Sequence, residues 1–139
     1  MLEEASAWLR SRGIDQWPAT FSTDWIGPPV ERGETWLASV AGEVAGTLTL
    51  VARDPAWPDD ERDVTFVHRL AVRLTHPGLG LRLLDWASGG ARARGHRALR
   101  LDCVATNSRL RRYYEDAGFL VRGEAVVHGA AVTLLERPT

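Results

Sequence analysis

The chain has 139 residues, 45% hydrophobic and 25% charged, with a net charge of −1, the profile of one soluble domain long enough to bury a core. Near-neutrality leaves no electrostatic case for nucleic acid or an anionic membrane surface, and no stretch reaches the ~18 apolar residues of a membrane span. The single cysteine, Cys103, excludes an internal disulfide.

The N-terminus, acidic and then basic, lacks the apolar core of a secretory signal, so a cytoplasmic protein is expected. Leu2, Ala5, Trp8 and Leu9 fit one helical face over Leu2 to Arg12, ended by Gly13. Residues 14–33 read as loop, with a short helix near Pro18 to Trp25. Thr35 to Val40 and Glu43 to Val51 read as a hairpin turning at Ala41-Gly42. A polar loop, Asp54 to Asp63, leads to a strand over Val64 to Val72. A turn with Pro77, Gly78 and Gly80 follows, then a helix from Leu81 to about Arg94, stopped by Gly95. Ala98 to Val104 is the next strand. Ser108 to Ala117 is a helix with Leu110, Tyr113, Tyr114 and Ala117 spaced for one face and Gly118 at its end. Two strands close the chain, Phe119 to Val127 and Ala131 to Leu135, around His128-Gly129. No internal repeat or low-complexity segment interrupts this order. It implies an α/β (α+β) layer protein over residues 1–139, a mixed sheet flanked by helices.

The stretch from Val64 to Leu84 carries the first chemical signal. A glycine turn between strand and helix aims backbone N–H groups out of the helix start, and those donors, with the positive end of the helix dipole, suit phosphate oxygens. A plain strand–helix connection uses the same glycines for steric reasons. Asn107 and Tyr114 carry the second. An Asn at a helix start is commonly a cap, and a Tyr on an apolar helix face is commonly core. Yet parallel strands Val64–Val72 and Leu99–Val104 would bring both helix starts to one sheet edge, where such sheets bind ligands.

On these residues the chain resembles the GNAT superfamily of acyl-CoA-dependent N-acetyltransferases. The match lies in HRLAV (His68 to Val72), the turn Thr75-His76-Pro77-Gly78-Leu79-Gly80, and NSRLRRYYEDAGF (Asn107 to Phe119). It covers residues 36–121. The resemblance implies a mostly antiparallel sheet whose central parallel pair is splayed around acetyl-CoA, the cosubstrate. Backbone groups of Leu70 and Val72 would bind the pantetheine arm like an added strand. The N–H groups of Gly78, Leu79, Gly80 and Leu81 would hold the pyrophosphate. Asn107 would contact the pantetheine or acetyl end. Tyr114, ahead of Glu-x-x-Gly-Phe, would protonate the leaving thiolate, with Tyr113 as its rival. Thr75 stands where the family has Gln or Arg, which removes one long polar side chain from the loop and implies weaker acetyl-CoA binding. The family's first strand is missing, and the exposed edge this leaves makes a homodimer possible.

The acceptor is expected to be a small-molecule or peptide primary amine. Such an amine is mostly protonated at neutral pH, so a base is needed. Phe66, His68 and Leu70 share a strand face by period two, and His68 is the titratable one. Glu31 and Glu34 are alternatives, Asp102 on the next strand also reads as structural, and His68 also reads as a satisfied core or sheet-surface histidine. Cys103 has no cationic neighbour to stabilise a thiolate. His68, His76, His96 and His128 lack metal-ligand spacing, so no metal is expected. The arginines from Arg109 to Arg112 read as a solvated helix face beside Glu115 and Asp116. Trp8 and Trp86 read as core, whereas Trp17, Trp25 and Trp57 lie in loops, Trp17 and Trp25 where an acceptor pocket would be shaped. A non-catalytic acyl-CoA-binding module on the same fold is the competing reading.

Overall fold

The computed structural model describes residues 33–139. Its elements are β1 (Thr35–Val40), β2 (Glu43–Val51), β3 (Val64–Val72), α1 (Leu79–Ala93), β4 (Ala98–Val104), α2 (Ser108–Asp116), β5 (Leu120–Val127) and β6 (Ala130–Pro138). The strands are hydrogen-bonded in the order β1-β2-β3-β4-β6-β5. Pairs β1–β2, β4–β6 and β5–β6 are antiparallel, and β3–β4 is parallel, with Val64, Thr65 and Phe66 opposite Ala98, Leu99 and Arg100. This is the mixed, mostly antiparallel α+β sheet expected. The helix over Leu2 to Arg12, the segment near Pro18 to Trp25, the missing first strand, Glu31, and Trp8, Trp17 and Trp25 lie outside the described residues.

Both hairpins close through two residues at positive φ, Ala41 (53°) with Gly42 (82°) and His128 (49°) with Gly129 (79°). Paired left-handed residues give the turn twist that matches adjoining strands, and Gly at the second position keeps the cost low.

The chain divides into two units, Met1–Leu50 with His68–Leu84 and Val51–Val67 with Asp85–Thr139. In the first, β1 and β2 pair Thr35 with Thr49, whose hydroxyls lie 3.1 Å apart. A Cβ at Gly46 of β2 would meet Leu83 Cδ1 at 3.0 Å, Leu79 Cδ2 at 3.3 Å and Val72 Cγ1 at 3.3 Å. The missing side chain therefore lets the first turns of α1 approach β2 closely.

In the second unit, Trp57, Val64, Phe66, Ala98, Val132 and Leu134 form one buried cluster, with Val51, Ala56, Ala125 and Val127 packed against it. Trp57 thus brings the polar 54–63 loop into the core. Arg100, 4% exposed, anchors that loop. Its Nε donates to Glu136 Oε2 at 2.7 Å, and its terminal nitrogens reach both oxygens of Asp59 at 2.7 and 3.0 Å. The guanidinium also lies 4.2 Å from the centre of the Trp57 ring. Arg97 and Arg122 add ion pairs to Glu136. A buried cation is tolerable only when its donors are matched this fully.

Helix α1 buries Leu79, Leu83, Leu84, Ala87 and Ala91, positions that recur on one face. Trp86 is not core: it is 49% exposed. The alanines hold the inner stripe and leave no room there for an indole.

Arg100→Ala would take the buried partner from Asp59 and from Oε2 of Glu136 and is expected to destabilise the fold by about 3 kcal/mol in denaturant unfolding. The bond from Arg100 is the main influence holding the Asp59 carboxyl below its ordinary 3.8. A depressed folded pKa contributes stability above the unfolded pKa and loses it as pH falls through the folded one. Acid unfolding below about pH 4 should therefore contain a component that Asp59→Asn removes.

Candidate active site

Two groups of predicted residues fall one in each unit. In the first unit, β3 carries His68, Leu70 and Val72, all half-buried. Arg69 between them has φ 52°, a left-handed conformation costing a non-glycine residue about 1 kcal/mol or more. A left-handed residue interrupts the regular extended backbone between His68 and Leu70. Val72 shares its surroundings with Leu79 and Leu83 of α1, since all three crowd the space beside Gly46.

Beyond β3 the chain is pinned to β2: the Arg73 amide donates to the Ala45 carbonyl at 2.7 Å and its Nε to the Val44 carbonyl at 2.8 Å. The turn then tightens. The His76 amide donates to the Arg73 carbonyl at 3.0 Å, and Thr75 Oγ1 lies 3.1 Å from His76 Nδ1. Gly78 has φ 85°, with open space where a Cβ would stand; glycine is needed there for conformation, not clearance. The helix starts at Leu79, two residues before the expected Leu81. The Leu79 amide already makes a long bond, 3.3 Å, to the His76 carbonyl. The amides of Gly80 and Leu81 belong to the first helical turn, where no intrahelical acceptor exists. They are the stronger anion donors of the four predicted.

In the second unit, Asn107 is 2% exposed, and its side chain accepts the Leu110 amide at 3.1 Å. It caps α2. At the other end the chain reverses at Gly118, φ 96°. The Phe119 amide donates to the Tyr114 carbonyl at 3.0 Å and the Gly118 amide to the Glu115 carbonyl at 3.0 Å. This glycine-closed helix end brings the residue after Gly118 back against the last turn. Accordingly, the Tyr114 and Phe119 rings meet edge-on at 5.7 Å. Arg137 completes the end, donating to the Ala117 carbonyl at 3.0 Å while lying over Phe119.

Tyr114 is 7% exposed and Tyr113 36%. Burial, reinforced by Cys103, Tyr113 and Asp102, pushes the Tyr114 phenol well above its ordinary 10.0. It therefore keeps its proton at any physiological pH and is suited to donate one, not to act as a base. Cys103 is buried, and its thiol is pushed up to about 11, chiefly by burial and then by Asp102. It is an inert thiol, as expected. Glu34 and Asp102 are half-buried; Glu31 lies outside the described residues. The left-handed Arg69 escaped the sequence, because it carries no residue-type signal.

A model of the Acetyltransferase (GNAT) family matches residues 2–119. The chain belongs to the GNAT acetyltransferase family. Among relatives of this GNAT protein is the uncharacterized N-acetyltransferase YesJ of Bacillus subtilis (strain 168), 30% identical over 134 residues, covering 88% of this chain and 74% of that one. A GNAT-family acetyltransferase structure from Streptococcus agalactiae has a TM-score of 0.84 at 18% identity, covering 99% of this chain and 86% of its own. A Bacillus subtilis acetyltransferase in complex with CoA has a TM-score of 0.67 at 18% identity, covering 85% of this chain and 84% of its own. These two likenesses speak to fold. Among the described residues of the GNAT chain, no helix is long and apolar enough to cross a membrane.

Gly118→Ala would force a Cβ into left-handed backbone, 3.3 Å from Arg137 Cδ. A loss of about 1–2 kcal/mol is expected, read as a lowered Tm, with the near-UV signal of the tyrosines changed alongside.

Proposed function

We propose that this GNAT protein transfers the acetyl group of acetyl-CoA to a primary amine of a small molecule or peptide, by direct attack in a ternary complex. Its place of work is the cytoplasm. The observation that carries the reading is the buried, proton-retaining Tyr114 phenol, fixed by the glycine-closed end of α2.

In the first unit, the amides of Gly80 and Leu81, with Gly78 and Leu79, take the pyrophosphate of acetyl-CoA. Main-chain groups of Leu70 and Val72 take the pantetheine. Thr75 adds no long polar arm, and its hydroxyl is beside His76, so the loop relies on backbone donors. Asn107 holds the start of α2 by its cap; contact with the pantetheine or acetyl end is its proposed second role.

The amine nitrogen attacks the thioester carbonyl carbon, and the C–S bond breaks as the tetrahedral intermediate collapses. The departing sulfur takes the Tyr114 proton, which spares the site a free thiolate. The proton lost by nitrogen goes to a base, directly or through water. His68, whose imidazole nitrogen can accept a proton, is the proposed base. Glu34 and Asp102 are the other candidates.

Tyr114→Phe retains the ring that meets Phe119 and removes only the acidic proton. It should lower kcat about 10²-fold or more while leaving the acetyl-CoA Kd within twofold, measured by thiol release against a panel of amines and by calorimetry. Unchanged kcat would remove Tyr114 from the acid role. Acetyl-CoA binding without turnover across the panel would favour a non-catalytic sensor. Gly80→Leu, with folding checked by circular dichroism, is expected to abolish acetyl-CoA binding; normal binding would displace the pyrophosphate from this loop.

A further inference from the structure

One side chain holds three consecutive residues at the end of α2. Arg137 of β6 has a side chain only 13% exposed. Its Nη1 donates to the Ala117 carbonyl at 3.0 Å. Its Cδ and Cγ lie 3.3 and 3.7 Å from where a Cβ on Gly118 would stand. Its guanidinium carbon lies 5.1 Å from the centre of the Phe119 ring. The other arm, Nη2, is 3.4 Å from Asp85 Oδ1 of α1. Carbonyls at a helix end lack intrahelical partners, and the negative end of the helix dipole favours a cation there. A planar guanidinium can donate in its own plane and still stack on an aromatic ring, which a lysine ammonium cannot match. Phe119, 1% exposed, is the next link. Its ring meets Tyr114 edge-on at 5.7 Å, and its amide donates to the Tyr114 carbonyl at 3.0 Å. Arg137 therefore stands one ring away from the proposed proton donor.

We infer that Arg137 is a positioning residue for acetyl transfer: by clamping Ala117, Gly118 and Phe119 it fixes the ring against which the Tyr114 phenol is aimed. The inference rests on the reading of Tyr114 as the acid. Arg137 works through Phe119 and touches no reacting atom. Catalysis falls steeply when a reacting group is misplaced, a shift of about 1 Å costing up to about 10²-fold. Removing the clamp leaves the phenol its proton and frees the Phe119 ring to settle elsewhere. The loss therefore falls on kcat and not on the binding of the cosubstrate.

The test is a double-mutant cycle on the full chain, with Arg137→Met and Tyr114→Phe made singly and together. Thiol release gives kcat and calorimetry gives the acetyl-CoA Kd, each measured well below the Tm of the variant. Methionine keeps the buried stem without the charge or the donors. Arg137→Met is expected to lower kcat about tenfold while leaving the acetyl-CoA Kd within about twofold. In the Tyr114→Phe background the same change is expected to alter the residual kcat by less than about twofold, since no phenol is left to aim. Arg137→Lys keeps a cation without the planar fork, and its kcat is expected to fall between those of wild type and Arg137→Met. Should Arg137→Met fail to fold, Arg137→Lys takes its place in the cycle, with a loss of about threefold expected only where the Tyr114 hydroxyl is present. An equal fall in kcat with and without that hydroxyl would overturn the inference and leave Arg137 a structural residue. An unchanged kcat in the Arg137 variant beside an impaired Tyr114→Phe would overturn it too, and both results leave the acid reading standing. An unchanged kcat in Tyr114→Phe would instead contradict the acid reading, and this inference with it.

Discussion

A single left-handed glycine sets the chemistry of α2. At Gly118 the backbone turns at φ 96°, which lets the amides of Gly118 and Phe119 satisfy helix-end carbonyls and folds Phe119 onto Tyr114. The phenol is thereby withdrawn from water on a helix whose other end is fixed by the buried Asn107 cap. Loss of hydration penalises the phenolate far more than the phenol. The consequence is a side chain that keeps its proton throughout the neutral pH range. Arg137 adds to this twice, as a donor to Ala117 and as a cation over Phe119.

The first unit works by a different means. Its donors are main-chain amides, so their placement depends on backbone conformation and on how near α1 comes to β2. Gly78 supplies the left-handed turn and Gly46 supplies the clearance. Arg69 adds a strained residue within β3. Strain of this kind persists when surrounding structure over-determines it, and it gathers at functional sites. Its location among His68, Leu70 and Val72, the residues proposed to face cosubstrate and base chemistry, fits that tendency.

Much of this was legible before any coordinates. Hairpin turns announced themselves as Ala41-Gly42 and His128-Gly129, and the caps as Asn107 and Gly118, because these residue types are selected by local backbone geometry. Tyr114 was singled out by the family resemblance, and its spacing to Gly-Phe is the one that the helix end sets. What stayed hidden depends on partners distant in sequence or on energies that hydrophobicity does not rank. Arg100 and Glu136 are 36 residues apart and meet only because β4 and β6 pair. Trp86 looked like core because it is large and apolar, yet the close packing of α1 favours Ala87 and Ala91 on its inner stripe. Arg69 is an ordinary strand residue by type, so nothing in its identity signals its left-handed backbone.

The most direct measurement is the ionisation of Tyr114 itself. Protein labelled with [ζ-¹³C]tyrosine carries only Tyr113 and Tyr114, and Tyr114→Phe assigns the two resonances. In a pH titration followed by NMR, burial requires the Tyr114 signal to stay at its phenol position through pH 10, the ordinary midpoint of a tyrosine. A Tyr114 phenolate forming at or below that pH would contradict a buried proton donor, and the acid role would fall with it.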